Sequence, residues 1–170
     1  MKKTLLFSKE TIREKVKELA RQISSDYEEK EPIFIGVLNG AVFFLSDLVR
    51  DISIPVKMDF IRASSYGSEM VSSATVRLTK DIEIPVEGKP VILVEDIVDT
   101  GLTLSYIIKN LEHQHPESIK ICALINKLER REVSIQVDYF GFQIEDGFIV
   151  GYGLDYDENY RHLPDIYVLS

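Results

Sequence analysis

The chain has 170 residues, the length of one domain, and area scaling lets about 70% of the unfolded surface be buried, enough for a core without disulfide or metal staples. Hydrophobic residues make up 45% and charged residues 28%, which excludes wholesale disorder. A balance of 20 Lys and Arg against 28 Asp and Glu leaves a net charge of −8, so general binding of nucleic acid is not expected, because counterion release needs a basic surface.

The start, Met1-Lys2-Lys3-Thr4-Leu5-Leu6-Phe7, has only three apolar residues before Lys9 and Glu10, too few for a signal peptide. No apolar run approaches the ~20 residues of a membrane span. The one cysteine, Cys122, lies in the apolar run Ile121–Ile125 and reads as a core thiol. These features set the expectation of a soluble, cytoplasmic protein without a membrane partner.

Residues 8–27 read as a helix with Ser8 as N-cap and Ile12, Val16, Leu19, Ala20 and Ile23 on one face. Ile33–Leu38 reads as a buried strand, Asn39-Gly40 as a turn, and a helix follows with Phe43, Phe44, Leu48 and Ile52 near one face. Val56–Ala63 reads as a strand. The stretch from Ser64 to Thr75 is small, polar and weakly patterned, and Ser65–Arg77 is expected to be a mobile loop. Val91–Val94 is the clearest buried strand, followed by a turn and a helix over Thr103–Glu112. Ser118–Ile125, Asp138–Phe142 and Phe148–Tyr152 read as further strands. The alternation predicts a single α/β domain with a mostly parallel twisted sheet flanked by helices.

The informative segment is Val91-Ile92-Leu93-Val94-Glu95-Asp96-Ile97-Val98-Asp99-Thr100-Gly101-Leu102-Thr103-Leu104. An apolar strand ends in two acids and a short loop, and a helix begins. In an open parallel sheet this is the carboxyl edge, where ligands bind. Thr100, Gly101, Leu102 and Thr103 can turn backbone N–H groups and two hydroxyls toward an anion such as phosphate. Successive strand side chains point to opposite faces, so Glu95 and Asp96 are not expected to chelate as a simple pair; they can grip sugar hydroxyls directly or through magnesium. Asp99 sits where a general base could face a ligand held on the loop. On residue type alone, the same string is also compatible with a solvated acidic turn.

The whole string resembles the phosphoribosyl-pyrophosphate signature of the type I phosphoribosyltransferases, in the form carried by hypoxanthine-guanine members. Phe60–Gly67 is similar to the strand and loop start of that family, Phe148–Tyr156 to its C-terminal base-binding hood, and Leu38-Asn39-Gly40 to its pyrophosphate loop. The resemblance implies a hood formed by the N-terminal and C-terminal segments, and it implies the following roles. Glu95 and Asp96 hold the ribose hydroxyls, and Thr100 to Thr103 cradle the 5′-phosphate. Asp99 assists proton movement at the purine imidazole. Asn39 and Gly40 belong to the pyrophosphate loop, with a cis bond before Asn39, and Ser65 and Tyr66 lie on the loop that closes over pyrophosphate. Lys127 contacts the purine 6-oxo group, Phe148 stacks on the base and Ile149 contributes backbone. Glu95 and Asp96 are also metal residues, gripping the sugar hydroxyls directly or through magnesium, Asp155 ligands a second magnesium, and Arg161 reaches pyrophosphate. Many members carry Lys where this chain has Asn39, which removes a positive charge there and leaves the loop to act through backbone N–H groups. Taken singly, Lys127 reads as a surface cation, Phe148 as core and Tyr66-Gly67 as a turn.

The implied activity is purine salvage: hypoxanthine or guanine plus phosphoribosyl pyrophosphate gives IMP or GMP plus pyrophosphate, with magnesium, in a homodimer or homotetramer. The alternatives are a xanthine-preferring relative and a non-catalytic nucleotide sensor on the same fold.

Overall fold

The computed structural model describes residues 1–66 and 75–170. The elements in chain order are β1 (Lys3–Phe7), α1 (Lys9–Asp26), β2 (Ile33–Val37), α2 (Val42–Asp51), β3 (Lys57–Tyr66), β4 (Thr75–Lys80), β5 (Pro90–Val98), α3 (Leu102–Glu112), β6 (Ser118–Lys127), β7 (Tyr139–Ile144), β8 (Phe148–Val150) and β9 (Ile166–Leu169). Six strands form the main sheet in the order β4-β3-β2-β5-β6-β7, and β1-β9-β8 form a smaller one. The main sheet is parallel except where β4 runs antiparallel to β3.

Local chemistry accounts for the helices. The Ser8 side chain accepts from the Thr11 N–H at 3.2 Å, which starts α1 one residue later, and Ile12, Val16, Leu19, Ala20 and Ile23 are buried as their spacing predicts. α2 turns differently from the expected face: Phe44, Leu45 and Leu48 are buried, Phe43 stands 42% exposed, and Ile52 is the C-cap. Leu45 takes the place expected of Phe43 because 44, 45 and 48 fit the i, i+1, i+4 stripe of a helix lying on a sheet.

The central strands alternate between two cores. Phe34, Ile92, Val94, Cys122 and Leu124 join α1 and α2 on one face. Ile33, Ile35, Val91, Leu93 and Ile121 join Leu104, Ile107 and Leu111 of α3 on the other. Burial on both faces explains why β2 and β5 read as continuous apolar runs. Each such side chain contributes about 1.5–3 kcal/mol of transfer free energy. The Cys122 thiol is fully buried, and burial pushes its pKa up, as a core thiol requires.

The smaller sheet joins the two ends of the chain. β1 and β8 both pair antiparallel with β9, and Ile149, Tyr152, Leu154 and Ile166 pack into the core beneath α1 and α2. The Tyr152 hydroxyl donates a short hydrogen bond to Asp47 of α2, fixing the segment after β8 against the main body.

Three expectations need correction. β5 runs on through Glu95 and Asp96 to Val98, because β5 and β6 stay paired as far as Val98 and Asn126, and β6 runs on to Lys127, which pairs with Ile144 of β7. The stretch expected as loop is strand at both its ends. Ser65 pairs with Val76 and Tyr66 with Thr75, so Ser65, Tyr66, Val76 and Arg77 belong to an antiparallel pair. Residues 67–74, the middle of that expected loop, lie outside the described residues. Among the described residues, no helix is long and apolar enough to cross a membrane.

Candidate active site

β2 lies at the point where the strand order reverses: β3 is its neighbour on one side and β5 on the other. The chain leaves β2 for α2 and leaves β5 for α3, and these helices cover opposite faces of the sheet. The two exit loops therefore diverge, and a crevice opens at the carboxyl ends of the strands. It holds a cleft of about 320 Å³ lined by Leu38 and Gly40 from the first loop, by Glu95, Asp96, Asp99, Thr100, Gly101 and Thr103 from the second, and by Asp155 and Arg161 from the segment after β8.

Gly101 begins α3 with a φ of 84°, and a β-carbon there would come within 2.9 Å of Ile135 Cδ1 and 3.0 Å of Val133 Cγ2. The dihedral demands glycine, and a β-carbon would also push on the ends of two neighbouring side chains. No side chain caps α3; the Leu102 N–H reaches Thr100 Oγ1 at 3.3 Å, and the remaining first-turn N–H groups stand at the end of the helix that carries partial positive charge.

Glu95 and Asp96 line this cleft together, contrary to the alternation argument. Alternation governs the direction of Cβ, but the longer Glu95 side chain folds back, and its Oε1 accepts from the Asp96 N–H at 3.0 Å. Burial, and then the charge of Asp96, push the Glu95 pKa well above the usual carboxylate range. Asp96 Oδ1 accepts from the Ile97 N–H at 2.8 Å. Asp99 has one carboxylate oxygen 3.5 Å from Arg130 Nη1, while its other oxygen, Oδ1, is buried without a hydrogen-bond partner among the described residues. Arg161 Nη1 donates to Gly153 O at 2.7 Å, its Nη2 lies 3.1 Å from Asp155 Oδ1, and its Nε is buried without a partner among the described residues. The cleft thus presents an orphaned acceptor and an orphaned donor, the condition of a site built around a polar ligand.

Lys127, Phe148 and Ile149 are not among the residues lining the cleft. Lys127 is only 7% exposed, which corrects the reading of a surface cation; its Nζ donates to Gly147 O at 3.0 Å, next to the start of β8. Phe148 is 51% exposed, which corrects its reading as core, and it meets Tyr156 edge-on at 5.4 Å between ring centroids. An open aromatic face beside a buried ammonium is the layout of a platform for a flat ring with a polar edge. Ile149 is buried. Asn39 follows a cis peptide bond and is not among the residues lining the cleft, unlike its neighbours Leu38 and Gly40. Ser65 and Tyr66 lie in β3, where Ala63 is the residue that lines the cleft. Leu102 is exposed and offers only its place at the start of α3.

Sequence reasoning missed Arg131, whose guanidinium binds the backbone at the ends of β5 and β6. The only signal was a pair of arginines just beyond a strand in an acidic chain.

The fold and cleft define a phosphoribosyltransferase. The phosphoribosyl transferase domain model matches residues 6–157, and the chain belongs to that family. The chain is 46% identical over 166 residues to the hypoxanthine-guanine phosphoribosyltransferase of Bacillus subtilis (strain 168), covering 98% of this chain and 92% of that one. It is 43% identical to part of the bifunctional protein TilS/HprT of Listeria innocua, of which it spans 26%. A crystal structure of a hypoxanthine-guanine phosphoribosyltransferase from Bacillus anthracis superposes with a TM-score of 0.93 at 47% identity, covering 98% of each chain.

Proposed function

We propose that this chain performs purine salvage, transferring the phosphoribosyl group of phosphoribosyl pyrophosphate to hypoxanthine or guanine and releasing pyrophosphate. The observation that carries the reading is Asp99, whose buried Oδ1 lacks a partner among the described residues, at the edge of a cleft that also holds the start of α3 and an acidic pair. A purine imidazole N–H is a donor that matches this acceptor. The family and the relatives, named as transferases, support an enzyme over a nucleotide sensor.

In this reading the 5′-phosphate sits at Thr100–Thr103, on the N–H groups and partial charge of α3. Glu95 and Asp96 take the ribose hydroxyls. Pyrophosphate lies toward Leu38–Gly40 and Arg161, with Asn39 contributing backbone and Ser65 and Tyr66 at the approach. The base lies on Phe148 with its 6-oxo group toward Lys127 and its edge along the backbone of Ile149.

Substitution at an anomeric carbon passes through oxocarbenium-like states, so no protein nucleophile is needed. The protein's work is to place the base, to stabilise the developing charge of the leaving group and to hold the proton lost from the imidazole on Asp99. Glu95, Asp96 and Asp155 are hard oxygen donors on one cleft and fit magnesium. Among the described residues no three such side chains form a preformed cage, which agrees with an ion held by one or two carboxylates plus substrate oxygens. Bound magnesium would supply charge neutralisation to pyrophosphate. The acidic, single-cysteine composition suits a reducing cytoplasm, and the assembly is read as a homodimer or homotetramer.

The test is Asp99→Asn, which keeps shape and removes the proton acceptor. It should bind the donor as the parent does and lose about 10²–10⁴-fold in kcat. A variant within threefold of the parent removes Asp99 from the mechanism.

A further inference from the structure

Arg131 lies outside the cleft lining, yet its guanidinium touches the backbone on both sides of the base site. Nε donates to Asp99 O at 2.8 Å. Nη2 is shared among Val98 O at 3.2 Å, Asn126 Oδ1 at 2.7 Å and Lys127 O at 3.0 Å. The last rung of the β5–β6 ladder is Val98 with Asn126, so Asp99 lies just beyond the paired strands and Lys127 at their very end. On its other side Lys127 is still paired with Ile144 of β7, so what ends at Val98 and Asn126 is the pairing of β5 with β6, and Arg131 ties those two strands just beyond it. The same segment then crosses behind the loop: the N–H groups of Glu132 and Val133 both donate to Thr100 O, at 3.0 and 3.3 Å.

We propose that Arg131 is a positioning residue that sets the separation between Asp99 and Lys127, and through it the recognition of the imidazole and 6-oxo edge of the purine. The inference rests on the proposed placement of the base between those two residues. A planar guanidinium presents five donors in a fixed fork, so a single side chain can hold carbonyls from two strands at set distances. Lysine offers a point charge with no such geometry and cannot span the same acceptors. A displacement of about 1 Å at a reacting group loses on the order of 10²-fold in rate, so the tie need only prevent a small splay to matter. Arg130 is distinct: it approaches the Asp99 carboxylate, at 3.5 Å, whereas Arg131 holds the Asp99 main chain.

The experiment compares parent, Arg131→Ala, Arg131→Lys and the milder Asn126→Ala, which deletes one acceptor and leaves the guanidinium in place. Each is assayed with hypoxanthine and with adenine, with and without added millimolar guanidinium, and its thermal midpoint is recorded. Arg131→Ala should lose about 10²-fold in kcat/KM for hypoxanthine and much less for adenine, narrowing the ratio between the bases. Guanidinium should restore at least a tenfold part of that loss and leave the parent unchanged. Arg131→Lys should behave like the alanine variant, and Asn126→Ala should show a smaller shift in the same direction. Equal losses for both bases without guanidinium rescue would make Arg131 merely structural, and a variant within threefold of the parent would also overturn the proposal. If Arg131→Ala does not fold, an unchanged base ratio in Asn126→Ala and Arg131→Lys overturns it. A parent that fails to use hypoxanthine contradicts the proposed function instead, so the two failures are distinguishable.

Discussion

Gly40 lies so close to Asp96 that a β-carbon at position 40 would overlap the Asp96 carboxylate oxygen Oδ2. The two residues come from the loops after β2 and β5, so this contact sets the width of the crevice at the switch point. The carbonyl of Gly40 is in turn packed against the α-carbon of Gly153, where φ is 98° and a side chain would collide with that oxygen. The pyrophosphate-loop segment is therefore held between the acidic strand end and the segment that carries Asp155 and Arg161.

Gly40→Ala follows from this contact. The clash meets the end of a side chain, so the fold can give way by moving the Asp96 carboxylate, at a stability loss near the lower end of the 1–3 kcal/mol range for overpacking, about 1 kcal/mol. The moved carboxylate is one proposed to hold the donor's ribose. The expected outcome is a small drop in thermal midpoint with a rise of at least tenfold in donor KM, read by denaturation and steady-state kinetics. An unchanged donor KM would show that the Asp96 position is not critical.

Lys127→Ala tests base choice. An ammonium only donates hydrogen bonds, which suits the acceptor oxygen of a 6-oxopurine and opposes the amino group of adenine. Sites built this way discriminate by about 10⁴-fold because a mismatched group stays unpaired. The variant should narrow the hypoxanthine-to-adenine ratio of kcat/KM by at least tenfold. It should also lose about 1–3 kcal/mol of stability, since Gly147 O loses its donor. A parent that discriminates and a variant with the same ratio would move specificity to the backbone near Ile149.

Asp59 supplies a pH-dependent term in stability that is separate from the cleft. Burial pushes its pKa up, but the N–H groups of Ile84, Glu83 and Phe60 and the ammonium of Lys80 outweigh burial and hold it below the usual carboxylate value. The bonds from Ile84 and Glu83, at 2.9 and 2.6 Å, tie β3 to the chain leading into β5, and the bond from Phe60, at 2.7 Å, lies within β3 itself. A lowered folded-state pKa gives stability that is present above the ordinary value of 3.8 and is lost as pH falls through the folded-state value. Asp59→Asn should therefore cost about 1.5–3 kcal/mol at pH 7, and its deficit should shrink as both proteins are acidified below pH ~4. Paired denaturation curves across pH check this; a deficit that stays constant would place the loss in packing.

Some of this molecule was written in short-range pattern and some was not. The Ser8 cap, the stripe of α1, the apolar core of β5 and the loop into α3 all depend on residues within a few positions of one another, and all could be read from the chain. β4 was missed although Val76 and Leu78 alternate with polar residues, because the serine-rich stretch before it dominated the reading. β1 and β9 were missed because they are short, five and four residues, with β1 mostly exposed, and only their pairing across the length of the chain makes them strands. The acids and glycine of the cleft were legible as a motif. The burial of Lys127, the exposure of Phe148 and the grip of Arg131 on two strand ends arise from contacts between distant segments, which periodicity does not record.

The central claim is most directly tested by one steady-state assay of the purified protein with magnesium and phosphoribosyl pyrophosphate against hypoxanthine, guanine, xanthine and adenine in parallel. The account predicts release of pyrophosphate with formation of IMP or GMP, and kcat/KM for hypoxanthine or guanine more than tenfold above that for adenine, a margin of about 1.4 kcal/mol. Donor binding without turnover of any base, or adenine used within tenfold of the better 6-oxopurine, would contradict it.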